Sequence, residues 1–266
     1  MSLVIVITGA SSGIGAASAE LLAGRGHRVE LVARRAAELH NVATRCGAHA
    51  RANVADVSRR EDVRRVVADV ITHYGHIDVW INNAGRGITK PVSQLTDQDV
   101  SDMMQVNVMS ALYGMQETLP HFKERGAGQV INVSSMLARV PHAPLRAAYS
   151  AAKHALNSLT ANFRTEVQQT HPNIFVSLVS PGVVHTDFGN NALHGGPDSR
   201  SFPDAQTAVE IAEVIANVIE SKRADTYTRA EGAEMVRQYY EAIATNGVPP
   251  APVNRNAAAV PAADRR

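Results

Sequence analysis

Short apolar segments rich in β-branched residues alternate along the chain with longer stretches of helical periodicity. The apolar segments span residues 3–7, 29–33, 77–81, 129–133 and 174–179, with a weaker candidate at 49–54. Runs of this length and composition are typical of strands that are buried on both faces of a sheet. The clearest helical stretch spans residues 58–75, where apolar residues recur three and four positions apart up to Gly75. The alternation predicts repeated strand–helix–strand units.

Repeated units of this kind place the chain in the α/β class. Right-handed crossovers predict a single Rossmann-like doubly wound domain, with a mostly parallel sheet and helices on both faces. We expect this domain to occupy residues 1–246, including a polar, Gly-rich substrate loop at about residues 188–205. Residues 247–266 are rich in Pro and Ala and have no helical or strand period, which predicts a C-terminal tail that hangs free or lies on a neighbouring subunit.

Charge and cysteine content narrow the classes of partner. Lys and Arg number 26 and Asp and Glu 25, so the net charge of +1 gives no electrostatic basis for binding nucleic acid or an acidic membrane. The histidines show no metal-ligand spacing, and the single Cys46 cannot form an internal disulfide, which favours a reducing compartment. No apolar run in the sequence reaches membrane length. These features predict a cytoplasmic protein with a small-molecule ligand and no metal site.

A glycine-rich segment, TGASSGIG at residues 8–15, directly follows the first predicted strand. Gly9, Gly13 and Gly15 would let the backbone turn sharply, approach a pyrophosphate closely and present helix N-terminal amides to it. The spacing G-x-x-x-G-x-G departs from the common G-x-G-x-x-G dinucleotide fingerprint. A turn whose glycines serve packing alone is the alternative. The position between a strand and a helix favours a dinucleotide site.

The end of the second predicted strand bears on the choice of dinucleotide. Many dinucleotide-binding folds carry an acid there, which hydrogen-bonds the ribose 2′-OH. This chain instead has Ala33 followed by Arg34 and Arg35. Two guanidinium groups suit a 2′-phosphate, so the sequence favours NADP(H) over NAD(H) as cofactor. Two solvated arginines at the start of a helix are the alternative.

Five further motifs follow the glycine-rich segment along the chain. They are INNAG at residues 81–85, the Asn of MMQVNV, VSS at 133–135, YSAAK at 149–153 and SPG at 180–182. Together with TGASSGIG, they make the chain resemble the short-chain dehydrogenase/reductase family from residue 3 to about residue 240. The resemblance implies a Rossmann-like domain with a seven-stranded parallel sheet, NAD(P)(H) binding, and hydride transfer between nicotinamide and a carbonyl or alcohol carbon. It also implies a homodimer or homotetramer, for which the long helical stretches at 97–124 and 147–169 are available.

The resemblance also implies which residues hold the cofactor. The set for the diphosphate and adenosine side is Gly9, Ser11, Gly13, Ile14 and Gly15, with Asp56 and Val57 at the adenine edge. Three residues after the fourth strand would support the adenosine half, namely Asn83, Ala84 and Gly85. The set at the nicotinamide end is Pro181, Gly182, Val184 and Thr186, together with Tyr149 and Lys153.

Tyr149 and Lys153 lie four residues apart in YSAAK. The stripe that we expect to be buried in this helix is Leu156, Leu159, Phe163 and Val167. Tyr149 and Lys153 then project from one face near its N-terminal end. A nearby ammonium group and an oxidised nicotinamide would lower the phenol pKa from about 10 toward the working pH. An exposed i, i+4 pair without a function is the alternative.

Within the resemblance, the catalytic set is Asn107, Ser135, Tyr149 and Lys153. Tyr149 would exchange a proton with the substrate oxygen, and Ser135 would hydrogen-bond the same oxygen. Lys153 would hold the nicotinamide ribose, and Asn107 would hold a water that relays protons to solvent. A buried amide that only satisfies a neighbouring backbone group is the alternative for Asn107.

The substrate is the least defined part of the prediction. The wall residues expected after Ser135 are mostly apolar, as in most small-molecule pockets. Arg86 and Arg146 are candidates for selecting an anionic group instead. We expect an NADP(H)-dependent carbonyl reductase or alcohol dehydrogenase. The alternatives are a 3-oxoacyl carrier-protein reductase, a hydroxysteroid dehydrogenase and, less favoured because Tyr149 and Lys153 are both kept, a non-catalytic NADP sensor.

Overall fold

The computed structural model describes residues 2–245 and residue 247, so the predicted tail lies outside the described residues apart from residue 247. The described strands are β1 (Val4–Thr8), β2 (Arg28–Ala33), β3 (Ala50–Val54), β4 (Val79–Asn82), β5 (Gly128–Val133), β6 (Ile174–Ser180), β7 (Val184–His185), β8 (Gln206–Thr207) and β9 (Asp225–Tyr227). The described α-helices are α1 (Gly13–Gly24), α2 (Ala36–Cys46), α3 (Arg60–Tyr74), α4 (Asp97–Met104), α5 (Ser110–Arg125), α6 (Ala147–Gln168), α7 (Ala208–Ser221) and α8 (Gly232–Ala244). None of these helices is both long and apolar enough to span a lipid bilayer.

Seven of the strands form one sheet in the order β3-β2-β1-β4-β5-β6-β9. Every neighbouring pair in this sheet is parallel. The strand order runs outward from β1 in both directions, so the winding of the sheet reverses between β1 and β4. In open α/β sheets, ligands bind beyond the carboxyl ends of the strands at such a reversal. The predicted doubly wound domain with a seven-stranded parallel sheet is confirmed.

Two hydrophobic clusters cover the two faces of the sheet. Along β1, Ile5 and Ile7 pack with α1, α2 and α7, whereas Val4 and Val6 pack with α3, α5 and α6. All four side chains are fully buried. Since successive side chains of a strand point to opposite faces, a strand covered on both sides must be apolar at every position. This is why β1 reads as an unbroken apolar run.

All six predicted strands are present, with bounds that differ from the predicted ones by one or two residues. The helical stretch predicted at 58–75 is α3, and Gly75 ends it in the left-handed conformation with φ 82°. The seventh strand of the sheet, β9, was not located from the sequence. It has three residues, begins with an exposed Asp225 and is only half-buried at its other two positions, so it carries no apolar run.

Two helical predictions need correction. The stretch at 97–124 is not one helix, because a π-helical turn at Gln105–Met109 separates α4 from α5. The stripe predicted to be buried in α6 is correct for Leu156 and Val167 but wrong for Leu159, which is 37% exposed. Leu159 lines a surface groove between α5 and α6, because α5 covers only part of that face of α6.

Candidate active site

The loop between β1 and α1 is folded so tightly that its glycines have no room for side chains. Gly9 has φ 67°, and a Cβ atom added there would lie 2.8 Å from the Cα atom of Ala84. A Cβ atom on Gly15 would lie 2.4 Å from the carbonyl oxygen of Gly9. The side chain of Ser12, the N-cap of α1, accepts no hydrogen bond from the first turn of the helix, which also contains no acidic residue. The first amides of α1 therefore remain available to an anion such as a diphosphate.

Asn83 and Ala84, which follow β4, hydrogen-bond to the start of this loop. The Thr8 hydroxyl oxygen accepts hydrogen bonds from the backbone amides of Asn83 and Ala84, at 3.0 and 3.1 Å. The Asn83 side-chain amide donates to the carbonyl oxygen of Thr8, at 2.9 Å, and to that of Gly9, at 3.3 Å. These bonds tie the end of β4 to the end of β1. The predicted supporting residues after β4 thus fix the shape of the glycine loop.

The two arginines after β2 lie beside the glycine loop. The Arg35 guanidinium donates hydrogen bonds to the hydroxyls of Ser11 and Ser12, at 3.0 and 2.7 Å. The Arg34 guanidinium is 3.8 Å from the carboxylate of Asp56, and both arginine side chains keep about half or more of their surface exposed, at 65% for Arg34 and 47% for Arg35. Two cations therefore flank the place where the second predicted strand ends, and Arg35 is anchored to the loop rather than free in solvent.

The other predicted adenosine residues lie around the same end of the sheet. Asp56 accepts hydrogen bonds from the amide and hydroxyl of Ser58, at 3.0 and 2.7 Å, so its side chain is fixed beside β3. Val57 is buried next to it, and Ile14 is half-buried in the first turn of α1. The structure thus brings the predicted adenosine set together at the carboxyl ends of β1, β2 and β3.

The residues predicted for the nicotinamide end follow β6. The carbonyl oxygen of Pro181 accepts a hydrogen bond from the amide of Met136, at 2.8 Å, which joins the ends of β5 and β6. A Cβ atom added at Gly13 would lie 3.1 Å from the Thr186 methyl carbon, so this segment returns to the glycine loop. A Cβ atom added at Gly182 would lie 3.9 Å from the Arg229 side chain, so this position has room for one, and Val184 is buried. The residues predicted to bind the nicotinamide and those predicted to bind the diphosphate therefore lie close together.

Three of the predicted catalytic side chains converge where β5 meets α6. Ser135 is 8% exposed, Tyr149 7% and Lys153 3%. The Lys153 ammonium group lies 5.9 Å from the centroid of the Tyr149 ring and donates a hydrogen bond to the carbonyl oxygen of Val133, at 2.9 Å. The Ser135 hydroxyl oxygen accepts a hydrogen bond from the amide of Leu137, at 3.1 Å. This bond leaves the Ser135 hydroxyl hydrogen free to donate to another oxygen.

Asn107, the fourth predicted catalytic residue, lies in the π-helical turn and is 1% exposed. Its side-chain oxygen accepts a hydrogen bond from the Arg86 amide, at 3.1 Å, and its nitrogen donates to the Arg86 and Met103 carbonyl oxygens, at 3.0 and 3.1 Å. A Cβ atom added at Gly85 would lie 2.8 Å from the Asn107 oxygen and 3.5 Å from the Lys153 nitrogen. Asn107 thus satisfies backbone groups, as the alternative interpretation held, and also lies across Gly85 from Lys153.

Burial has the largest effect on the pKa of both Tyr149 and Lys153. Burial raises the pKa of Tyr149 to about 12, although a hydrogen bond with Ser135 and the positive charge of Arg146 both act to lower it. Burial also lowers the pKa of Lys153 to about 8. In the protein alone, Lys153 is not among the groups that lower the pKa of Tyr149. The lowering expected from Lys153 together with an oxidised nicotinamide stays a prediction. Desolvation of the buried phenol outweighs the charges near it.

The predicted substrate loop covers this site. The ring of Phe188 packs edge-on against the Tyr149 ring, with 5.4 Å between the centroids. Further along the loop, Leu193 exchanges backbone hydrogen bonds with Gly87 and Thr89, at 2.8 and 2.9 Å. Phe188 was not singled out from the sequence, and its only signal there is its place just after Thr186. The loop therefore closes one side of the cleft above Tyr149.

The loop is also fixed by a hydrogen bond between His194 and Asp99. The imidazole of His194 lies 2.8 Å from one carboxylate oxygen of Asp99, and the Lys90 ammonium group lies 2.6 Å from the other. Asp99 caps α4 together with Thr96, and these contacts hold the pKa of Asp99 well below its ordinary value. Among the described residues no cluster of three metal-ligating side chains is present.

Comparison with known protein families shows to which family the chain belongs. The family model described as short chain dehydrogenase matches residues 3–195. The chain belongs to the short-chain dehydrogenase family. An uncharacterized oxidoreductase of Staphylococcus epidermidis is 33% identical to this short-chain dehydrogenase over 192 residues, which cover 70% of this chain and 82% of that protein. The protein is accordingly an oxidoreductase of this family.

Solved structures share the fold over most of the chain. A short-chain dehydrogenase/reductase from Burkholderia phymatum, in complex with NAD, has a TM-score of 0.86 and covers 95% of this chain and 98% of that one, at 24% identity. An alcohol dehydrogenase from Thermococcus sibiricus, complexed with 5-hydroxy-NADP, has a TM-score of 0.74 at 28% identity, covering 85% of this chain and 96% of that one. The fold of this short-chain dehydrogenase is one that binds nicotinamide cofactors.

Proposed function

We propose that this short-chain dehydrogenase is an NADP(H)-dependent oxidoreductase that moves hydride between nicotinamide and a carbonyl or secondary alcohol carbon of a small molecule. The observation that carries the proposal is the convergence of Ser135, Tyr149 and Lys153 in one buried site beside the glycine loop. A phenol, a hydroxyl and an ammonium group beside a dinucleotide site are the groups that carbonyl reduction requires.

The loop geometry fits a dinucleotide. Side chains are excluded at Gly9 and Gly15, and the first amides of α1 are uncapped, as a bound diphosphate requires. Asp56 and Val57 would hold the adenine, and Asn83, Ala84 and Gly85 would line the adenosine half. The set for the nicotinamide is Pro181, Gly182, Val184 and Thr186, with the ribose on Tyr149 and Lys153. When bound, the cofactor supplies or accepts the hydride.

The NADP(H) preference rests on the cations after β2. The strand ends at Ala33 with no acid to hydrogen-bond a 2′-hydroxyl, and Arg34 and Arg35 flank that point. Arg35 is already oriented by its bonds to Ser11 and Ser12, so less side-chain freedom is lost when it binds a phosphate. The structural neighbours do not favour one cofactor, since the Burkholderia phymatum protein binds NAD and the Thermococcus sibiricus alcohol dehydrogenase binds 5-hydroxy-NADP.

In the reduction direction, Tyr149 would be the proton donor. With a pKa of about 12, the phenol carries its proton at neutral pH and can donate it to the substrate oxygen. Ser135, whose oxygen accepts from the Leu137 amide, would donate its hydrogen to the same oxygen and stabilise the developing negative charge. Oxidation of an alcohol would need the opposite proton transfer, with the positive charge of an oxidised nicotinamide beside the phenol to favour it. Asn107 would position a water between Lys153 and solvent.

The groove between α5 and α6 supports the expected homo-oligomer. Leu112, Leu119 and Pro120 of α5 line it together with Leu159 and Phe163 of α6. Leu159 is 37% exposed, unlike most large apolar side chains of these helices. A second copy of the chain, related by a two-fold axis, would cover this apolar surface with the same surface of its own.

A panel of ketones, aldehydes and keto acids, assayed with NADPH and with NADH, tests the proposal. We expect substrate-dependent oxidation of NADPH, and slower oxidation of NADH. A protein that binds NADPH but oxidises it with no member of a broad panel would point to the nucleotide sensor instead. Equal or greater use of NADH would keep the oxidoreductase and remove the cofactor preference.

A further inference from the structure

Arg146 is a half-buried cation at the start of α6, three residues before Tyr149. One of its terminal nitrogens donates a hydrogen bond to the carbonyl oxygen of Ile88, at 3.2 Å. No carboxylate lies within ion-pair distance of it among the described residues. Burial acts to lower the pKa of Arg146. A guanidinium group in such a place has four N–H groups left for another acceptor.

The Arg146 guanidinium occupies space that is free because Gly87 and Gly196 have no side chains. A Cβ atom added at Gly87 would lie 2.9 Å from one terminal nitrogen of Arg146, and a Cβ atom added at Gly196 would lie 2.7 Å from the other. The Thr89 hydroxyl lies 3.0 Å from the same Gly196 position. That hydroxyl is sealed from solvent and has no hydrogen-bond partner among the described residues. The Arg146 guanidinium, which has no counter-charge among the described residues, and the Thr89 hydroxyl therefore both lie close to Gly196.

Arg146 belongs to the same cleft as Tyr149. The Phe188 ring, which packs on Tyr149, would also touch a side chain at Gly87, at 3.0 Å. The charge of Arg146 acts directly on the phenol. Residues three apart at the start of a helix share one face, so both groups can reach one small molecule. The other candidate, Arg86, is exposed, and its side chain donates to the carbonyl oxygen of Asn191, at 3.1 Å.

The exposed side of this half-buried guanidinium is hydrated, and an anion can replace that water. We propose that Arg146 binds a carboxylate of the substrate, and that the preferred substrates are short keto acids and the matching hydroxy acids. The inference rests on the proposed function and adds its substrate class. The planar guanidinium can bind a carboxylate with two parallel hydrogen bonds. The carbonyl a few bonds away would then lie against Tyr149 and Ser135.

The test compares a short keto acid with its methyl ester, which differ in charge but share the reacting carbonyl. We expect the wild-type protein to reduce the acid with a kcat/KM about tenfold to a hundredfold above that of the ester, the range that charge-assisted hydrogen bonds provide. Arg146→Gln should lower this acid-to-ester ratio to near one. Arg146→Lys, which keeps the charge but not the planar fork, should retain part of it. Arg86→Gln is the matched control and should keep the wild-type ratio.

The ratio separates the proposal from its rivals. An unchanged ratio in Arg146→Gln would overturn it, as would a wild-type protein that prefers the ester. If Arg146→Gln instead shifts the pH profile of ester reduction and leaves the ratio intact, the guanidinium serves Tyr149 and not the substrate. A loss of the ratio in Arg86→Gln would assign the carboxylate to Arg86. Failure of the proposed function itself would appear differently, as no NADPH oxidation with either compound.

Discussion

The ammonium group of Lys153 lies 5.9 Å from the centre of the Tyr149 ring and donates its hydrogen bond to the Val133 carbonyl, not to the phenol. The two side chains share one face of α6 and are both buried. Each is shifted toward its neutral form, since burial raises the pKa of Tyr149 and lowers that of Lys153. The pair is therefore prepared to give a proton to a substrate oxygen.

Lys153 should make the stability of the protein depend on pH. Its pKa is about 8 in the folded chain against an ordinary value of 10.5, so between these values the unfolded chain binds a proton that the folded chain does not. Stability due to Lys153 therefore rises with pH across this interval, by about 3 kcal/mol at about 1.4 kcal/mol per pKa unit.

Urea unfolding of the wild-type protein and Lys153→Met, measured from neutral pH to about pH 10.5, checks this. The difference in unfolding free energy should move in favour of the wild type as pH rises. Parallel curves for the two proteins would show that Lys153 is not shifted.

Gly85→Ala should disturb the site from the backbone side. The added methyl group would lie 2.8 Å from the Asn107 side-chain oxygen, so the hydrogen bonds of Asn107 to Arg86 must lengthen. We expect a loss of about 1 to 3 kcal/mol in unfolding free energy and a lower kcat. Gly24→Ala is the control, because nothing lies within 4 Å of that position and the helix should gain up to about 1 kcal/mol. Equal stability changes in both variants would contradict the contact at Gly85.

Arg35→Ser should weaken NADPH binding more than NADH binding. The variant removes the guanidinium that rests on Ser11 and Ser12, and a charged phosphate contact contributes about tenfold or more to affinity. Dissociation constants from cofactor fluorescence give the ratio directly. Arg223→Ser changes an exposed arginine that follows α7 and should leave the ratio as it is. A ratio that stays the same in Arg35→Ser would remove Arg35 from the cofactor site.

Leu159→Glu should reduce the size of the assembly. A charge on this half-exposed residue would have to be buried if a second copy covers the α5–α6 groove. Light scattering after size-exclusion chromatography measures the mass in solution. Val209→Glu places the same charge on α7, at a residue that is 60% exposed and outside the groove, and should keep the wild-type mass. The interface lies elsewhere if Leu159→Glu has the wild-type mass too.

The features that were predictable from sequence are those that depend on residues close together along the chain. A short unbroken apolar run that is rich in β-branched residues and ends at a Gly-rich turn favours a strand covered on both faces, and β1 with its four fully buried side chains is the example. Gly9 and Gly15 were predictable from their place in a turn between a strand and a helix, although part of the crowding around them comes from Asn83 and Ala84, which are distant in sequence. Motif spacing then identified the set that meets at the end of the sheet.

Features that depend on tertiary burial were not predictable. The pKa of Tyr149 follows from how completely α6, β5 and the Phe188 loop enclose the phenol, which no spacing of residues reveals. β9 is a strand only because β6 offers a free edge, since its own residues are half exposed. The exposure of Leu159 depends on how far α5 extends over α6. The sequence identified Arg146 as a candidate anion-binding residue, but it could not show that no carboxylate of the described residues pairs with it.

The most direct measurement is the turnover of Tyr149→Phe with NADPH and a carbonyl substrate that the wild-type protein reduces. The variant lacks only the phenol oxygen, so it should lose a contact to the nicotinamide ribose but still bind NADPH measurably, and it should lose about 100-fold or more in kcat. Tyr240→Phe, at a residue that is 51% exposed on α8, should reduce the substrate at the wild-type rate. A Tyr149→Phe protein that turns over within a few fold of the wild type would show that this phenol is not the proton donor.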